Sequence, residues 1–190
     1  LLVSKTLAEL AKMIKPGITT LALDKTAEEY IRDHKAEPGF LGYGGFPNSI
    51  CTSVNDAVVH GIPSDYELKE GDIISIDCGT YKNGFYGDSA YTFAVGKIDQ
   101  EVEKLLNNTK EALFNGIEMA KAGNRVGDIG CAVQNHAENA GFSVVREMVG
   151  HGLGSQMHEA PEVPNYGKKG KGPLLKPGMV ICIEPMINLG

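Results

Sequence analysis

The sequence predicts an α+β fold around an antiparallel sheet, and three observations carry that prediction. Residues 73–90 read as a β-hairpin, because apolar and β-branched residues flank Asn83-Gly84, a dipeptide that tolerates the positive φ of a tight type I′ turn. Two long segments of helical period, 100–121 and 126–140, follow one another instead of alternating with strands as βαβ units would. The chain also repeats itself. Leu68-Lys69-Glu70-Gly71-Asp72-Ile73-Ile74-Ser75-Ile76-Asp77 returns as Leu175-Lys176-Pro177-Gly178-Met179-Val180-Ile181-Cys182-Ile183-Glu184, at an offset of 107. Lys15-Pro16-Gly17 with Leu23 and Ala27 is echoed by Lys121-Ala122-Gly123 with Ile129 and Val133 at an offset of 106, and His60-Gly61-Ile62 by His151-Gly152-Leu153. Three matches in order indicate a duplicated half-domain: two halves related by a pseudo-two-fold axis, the acids Asp77 and Glu184 near it, and function where the halves meet.

The elements follow from local signals. Leu7, Leu10, Ala11 and Ile14 keep helical spacing, and Lys15-Pro16-Gly17 should end that helix, since proline disfavours its continuation and glycine permits the turn. Thr20 is expected to cap a second helix with Leu23, Ala27, Tyr30 and Ile31 on its buried stripe. The loop 39–47 combines glycines with Phe40, Tyr43 and Phe46, a composition suited to a pocket wall. Residues 49–54 and 57–60 read as two short strands around Asn55-Asp56. The helices 100–121 and 126–140 should stop at Gly123 and Gly141; then come a strand over 143–149, a loop-like stretch over 150–178 and a last strand over 179–183. Lys168-Lys169-Gly170-Lys171 lacks the Gly-x-x-x-x-Gly-Lys-Ser/Thr pattern of a phosphate loop and reads as a solvated loop.

A length of 190 residues fits one domain, 1–190, with a single sizeable core, and 42% hydrophobic with 22% charged residues is an ordinary globular composition. A net charge of −6 argues against a nucleic-acid partner. No apolar run approaches the ~20 residues that span a bilayer, and no leader pattern opens the chain, so a cytoplasmic protein is expected. Cys51, Cys78, Cys131 and Cys182 form no Cys-x-x-Cys pair and read as free thiols. Leu1 stands where helical spacing is already under way, and the chain stops six residues after Glu184, so a start and a C-terminal segment are expected to be lacking.

Chemistry concentrates on the hairpin. With Asn83-Gly84 as the turn, Lys82 faces Phe85, Gly79 faces Asp88 and Asp77 faces Ala90, which sets Asp77 and Asp88 on one face as diagonal neighbours ~7–8 Å apart or a little less. Two carboxylates aimed at one spot call for a cation, and Asp77 ends an apolar run in which a charge needs a partner. Glu184 repeats Asp77, and Pro185 favours extended backbone at that acid. Gly150-His151-Gly152-Leu153-Gly154 and Met157-His158-Glu159 add two histidines, and the repeat relation of His60 to His151 brings His60 toward the same cleft. Carboxylates with an imidazole suit Mn²⁺, Fe²⁺, Co²⁺ or Zn²⁺ better than Ca²⁺, and paired bridging acids favour two ions with a nucleophilic hydroxide between them.

At these residues the chain resembles the type I methionine aminopeptidases, of the pita-bread metallopeptidase fold. The resemblance lies in Lys-Pro-Gly-Ile-Thr at 15–19, Val54-Asn55-Asp56-Ala57-Val58-Val59-His60-Gly61-Ile62-Pro63, the hairpin from Ile76-Asp77 to Gly87-Asp88, the glycine-flanked His151, and Leu175-Lys176-Pro177-Gly178 to Glu184-Pro185-Met186. It implies two pseudo-two-fold halves around a curved antiparallel sheet, and removal of initiator methionine from nascent chains. It implies Asp77, Asp88, His151 and Glu184 as ligands of two divalent ions, His60 and His158 as the histidines that contact substrate and stabilise the tetrahedral intermediate, and Tyr43, Phe46 and Cys51 as the methionine pocket. It further implies a monomer that could meet the ribosome. The family's fifth ligand, a glutamate on a later strand, falls outside this sequence. A catalytically impaired binding module and a related dipeptidase are the alternatives; the filled ligand positions speak against the first, and the Asn-Asp-x-Val-Val-His-Gly-Ile-Pro stretch against the second.

Overall fold

The structure, a computed structural model, describes residues 1–189. It contains two compact units: unit 1 is Leu1–Asp99 with Ser155–Met157, and unit 2 is Gln100–Gly154 with 158–189. Among the described residues no helix is long and apolar enough to cross a membrane.

Unit 1 is a four-stranded antiparallel sheet backed by two helices. Helix α1 spans Leu2–Ala11 and α2 Thr20–Asp33; strands β1 (Glu37–Pro38), β2 (Ile50–Val54), β3 (Ile73–Lys82) and β4 (Phe85–Ala94) form the sheet. Strand β4 occupies one edge of β3 along its whole length, while β2 and the two-residue β1 follow each other along the other. The hairpin register is the expected one, Lys82 opposite Phe85, Gly79 opposite Asp88 and Asp77 opposite Ala90, because Asn83 (φ 54°) and Gly84 (φ 86°) make the left-handed two-residue turn. Alternation along β3 then divides the labour of the sheet. Ile74, Ile76 and Cys78 pack into a core with Leu7 and Leu10 of α1 and Leu23, Ala27 and Ile31 of α2, whereas Ser75, Asp77 and Gly79 point to the opposite face.

Three local expectations for this unit are corrected. Helix α1 ends at Ala11, four residues before Lys15. The cap of α2 is Thr19, whose hydroxyl accepts from Ala22 N at 3.1 Å; Thr20 is already helical, and its hydroxyl instead donates to the Ser64 carbonyl at 3.0 Å. Residues 57–60 are not a strand. His60 has φ 58°, which extended backbone does not allow, and pairing to β2 resumes only at Gly61, whose carbonyl accepts from Thr52 N at 2.8 Å.

Unit 2 holds α3 (Gln100–Met119), α4 (Val126–Asn139), β5 (Ser143–Val144), β6 (Gly150–Gly152), β7 (Glu159–Val163) and β8 (Ile187–Asn188). The two helices pack closely at Gly116, where a Cβ would come within 2.9 Å of Val133. Helix α4 lies against the backbone carbonyls of Pro164 and Tyr166 at Gly130, an approach that leaves no room for a side chain. The expected loop over 150–178 contains the β6–β7 pair, and β5 is two residues long instead of seven. Residues 179–183 form no ladder. They meet β6 through a single bridge, Gly152 with Ile181, flanked by Leu153 N to Val180 O (3.1 Å) and Cys182 N to His151 O (2.7 Å). The lysine-rich loop turns inward on its backbone: the Lys171 carbonyl accepts from Gly127 N at 2.9 Å and Gly170 N donates to Asp128 at 2.7 Å, so the start of α4 is satisfied by the protein itself.

The sequence repeat is a repeat of hydrogen bonds. Gly17 N donates to Leu68 O and Gly123 N to Leu175 O; Leu68 N donates to Ile18 O and Leu175 N to Asn124 O. Isolated bridges join Thr19 to Glu67 in one unit and Arg125 to Leu174 in the other. Helices α2 and α4 are each 14 residues long, and both are closed by a left-handed residue, Lys35 (φ 55°) and Gly141 (φ 87°). Each copy uses the glycine of its Lys-x-Gly turn, at φ 87° and 94°, to bring the chain against the segment that leads to its acid.

Candidate functional site

In unit 1 the working face of the sheet is laid out in rows by the strand register. Cys51 of β2, Asp77 of β3 and Ala90 of β4 form one row; Gly79 and Asp88 form the next, diagonal to Asp77; Ser53, Ser75 and Thr92 form the row on the other side. Period-2 alternation places these side chains away from the core, which is how an acid can end the run Ile73-Ile74-Ser75-Ile76 without entering it. Both aspartates are half-buried. Burial pushes the Cys51 thiol up to about 12, and the carboxylates of Asp77 and Asp88 add to the push; Cys51 is therefore a neutral, apolar surface beside the acids. Cys78, on the core face, is raised even further for the same reasons.

The aromatic loop is pinned to this face. Gly39 N donates to the Gly79 carbonyl at 2.8 Å, and the Phe40 ring lies against Gly79, where a Cβ would meet it at 2.5 Å. A 3₁₀ turn over Tyr43–Gly45 follows, with Tyr43 exposed and Phe46 half-buried. Met157 also packs against Gly39 and Gly79. Phe40 belongs to the loop whose composition suits a pocket wall, whereas Met157 escaped the sequence reading. His60 is exposed, in the left-handed region, and held from behind: Gly61 N donates to Ser53 Oγ at 3.0 Å, and a Cβ at Gly61 would lie 2.2 Å from the Thr52 carbonyl oxygen.

In unit 2 the register brings His151 and Glu184 together. The Gly152–Ile181 bridge sets His151 opposite Cys182, and Glu184, two residues on, returns to the same side. His151 is buried and its Nδ1 donates to the Gly152 carbonyl at 2.9 Å, which turns Nε2 toward Glu184 Oε1 at 3.3 Å. Glu184 Oε1 is sealed from solvent and accepts no hydrogen bond. A ring nitrogen and a carboxylate oxygen thus face each other in a protected spot, an arrangement that suits a divalent cation. The His158 ring stacks on His151 at a centroid distance of 4.2 Å, tilted by 52°. Backbone on the other side of Glu184 is fixed by Asn165, whose side-chain amide donates to the Glu184 carbonyl at 2.7 Å. Sequence reasoning missed Cys182, which joins His151 and Glu184 in a group whose donor atoms lie within 4.8 Å of one another.

The whole chain, residues 1–190, matches the model of metallopeptidase family M24. It is 55% identical over 190 residues to methionine aminopeptidase of Clostridium acetobutylicum, covering 100% of this chain and 76% of that one. The chain belongs to metallopeptidase family M24, among the methionine aminopeptidases. In this family the same fold is held closely: the crystal structure of methionine aminopeptidase from Rickettsia prowazekii superposes with a TM-score of 0.98 at 43% identity, over 100% of this chain and 76% of that one. The Xaa-Pro dipeptidase of Bacillus anthracis, 23% identical with a TM-score of 0.78 over 97% of this chain and 50% of that one, shares the fold alone. The pita-bread fold and the hydrolase class expected from the sequence are those of this family, and the use of divalent metal comes with it.

Proposed function

We propose that this chain removes the N-terminal methionine from peptides and nascent proteins, with two divalent ions held by Asp77, Asp88, His151 and Glu184. The observation that carries the reading is the buried Oε1 of Glu184, which accepts no hydrogen bond and lies 3.3 Å from Nε2 of His151. Mn²⁺, Co²⁺, Fe²⁺ and Zn²⁺ all suit a set of carboxylates with one imidazole. Bound there, divalent metal supplies Lewis-acid polarisation of the scissile carbonyl and a water of lowered pKa.

The protein's own groups do the rest. Cys51, neutral beside Asp77, forms with Tyr43 and Phe46 an apolar seat for an unbranched thioether side chain, and methionine fills such a seat without leaving a buried polar group unpaired. His60 and His158 are the hydrogen-bonding groups for the substrate amide and for the oxygen that gains charge in the tetrahedral state. The left-handed backbone of His60, clamped by Ser53 and Gly61, is supported by enough surrounding structure to hold an otherwise unfavourable conformation. The protein acts as a monomer in the cytoplasm, where nascent chains leaving the ribosome present their first residue.

The test is release of methionine from a Met-Gly peptide by the metal-loaded protein. Turnover that needs added Mn²⁺ or Co²⁺ and disappears in Asp77→Ala is the expected result. Absence of turnover across all four metals would overturn the reading.

A further inference from the structure

We infer that Cys182 is a third donor to the metal held by His151 and Glu184, and that it biases this centre toward thiophilic ions such as Zn²⁺ and Co²⁺ over Mn²⁺. The inference rests on the metal reading above and adds a ligand to it. Cys182 sits in the run Val180-Ile181-Cys182-Ile183-Glu184, where a cysteine reads as one more core residue. The structure gives it different neighbours. Its amide donates to the His151 carbonyl at 2.7 Å, and the adjoining bridge is Gly152 with Ile181, so Cys182 and His151 are directly opposed across an antiparallel pair. Opposed residues project to the same face with Cβ atoms about 4.5–5.5 Å apart, and residue 184 shares that face by alternation. Cys182 is half-buried, and its sulfur, a nitrogen of His151 and a carboxylate oxygen of Glu184 lie within 4.8 Å of one another.

Those separations fit one ion. A metal about 2.0–2.3 Å from nitrogen, oxygen and sulfur donors spaces them at roughly 3–4 Å, within the observed limit. The backbone leaves the cysteine little freedom to move elsewhere: at Gly150, next to His151, a Cβ would come within 2.2 Å of the Cys182 carbonyl oxygen, so the two segments are in close contact. Chemistry selects the ion. Thiolate favours Zn²⁺ and Co²⁺ over the oxygen-seeking Mn²⁺, and replacing an oxygen or an open position by sulfur lowers the charge left on the metal. As the Sγ–metal bond forms, the thiol proton passes to buffer and no oxidation state changes.

The experiment is Co²⁺ titration of the metal-free 190-residue chain under reducing conditions, reading visible d–d absorption and the near-ultraviolet sulfur-to-cobalt charge-transfer band. In the unaltered protein both should grow together, whereas Cys182→Ser and Cys182→Ala keep the d–d absorption and lose the sulfur band. Competition between Zn²⁺ and Mn²⁺ should show the preference for Zn²⁺ falling about 10–100-fold in the serine variant, the range by which ligand-sphere changes alter metal affinity. A cobalt complex with no sulfur band, or one whose band survives in both variants and so belongs to another cysteine, overturns the assignment while leaving the metal centre in place. No uptake of Co²⁺ at all overturns the metal reading and this inference with it.

Discussion

Lys69 N donates to a carboxylate oxygen of Asp72 at 2.9 Å, and at the matching place in the other repeat Lys176 N donates to the sulfur of Met179 at 3.3 Å. Three residues on, Ser75 exchanges a hydrogen bond with Thr92 at 2.8 Å, whereas its counterpart Cys182 lies in the group formed with His151 and Glu184. The next pair are the acids themselves, Asp77 and Glu184, followed by Cys78 in a full ladder and Pro185, which has no N–H to give to one. One backbone frame therefore carries a strand in one repeat and a segment without a ladder in the other. In unit 1 the strand is a paired structural element whose side chains bond to neighbours on the sheet. In unit 2 the equivalent segment is bridged at one position, and its donors face a single protected spot. Duplication supplied the frame, and the changes from Asp72 to Met179 and from Ser75 to Cys182 gave its two copies different side-chain partners.

The sharpest way to break this comparison is to neutralise each acid in turn. Glu184→Gln and Asp77→Asn should each lower kcat/KM for a Met-Gly peptide by at least about 100-fold, since removing a metal ligand costs more than disturbing the groups around it. If Glu184→Gln leaves activity intact while Asp77→Asn removes it, the two acids are not functional equivalents. Next in size are the His-Gly pairs. Gly61→Ala would put a Cβ 2.2 Å from the Thr52 carbonyl oxygen, and Gly152→Ala 2.4 Å from that of Ala160. Overpacking of this sort should cost about 1–3 kcal/mol in chemical denaturation for both, and Gly152→Ala should also weaken Co²⁺ binding, because it moves the carbonyl that orients His151.

Asp72 supplies a smaller effect with a pH signature. Burial alone would raise its carboxyl, but hydrogen bonds from Asn55, the Lys69 amide and Tyr66 outweigh it and hold the group below the ordinary carboxylate range. A depressed folded value means the stabilisation is complete above the usual carboxylate pKa and disappears as pH falls through the lowered one. Thermal melts of Asp72→Asn should lie below wild type at neutral pH, with the gap closing as pH falls below the ordinary carboxylate range. Met179, with no titrating group, predicts no such trend for Met179→Leu. Smallest is the pair Gly17→Ala and Gly123→Ala, where open space surrounds each glycine and only the left-handed φ resists the substitution. Each should lose about 1 kcal/mol, and equal losses would confirm that the two turns are one device used twice.

What could be read from the sequence was what local chemistry decides. Asn83-Gly84 fixed the hairpin and its register, so the diagonal of Asp77 and Asp88 followed without a structure. Gly123 and Gly141 marked the ends of α3 and α4 within a few residues. Errors arose where a distant partner decides. Residues 57–60 are apolar enough for a strand, but the left-handed His60 turns them away from β2. The pairing of β6 with β7 was hidden because glycine and proline punctuate both segments, including His151 opposite Glu162. Cys182 could not be distinguished from a core thiol until the bridge next to it showed that a histidine lies across from it.

The two-residue turn at Asn83-Gly84 also sets an order of events. Strands β3 and β4 close the shortest loop available to the sheet and can zip outward from it on the ~1–10 μs scale of hairpins, while β2 joins β3 only after residues 55–72 have looped back. Asp77 and Asp88 therefore owe their placement to the shortest loop in the sheet, with no contribution from the second repeat.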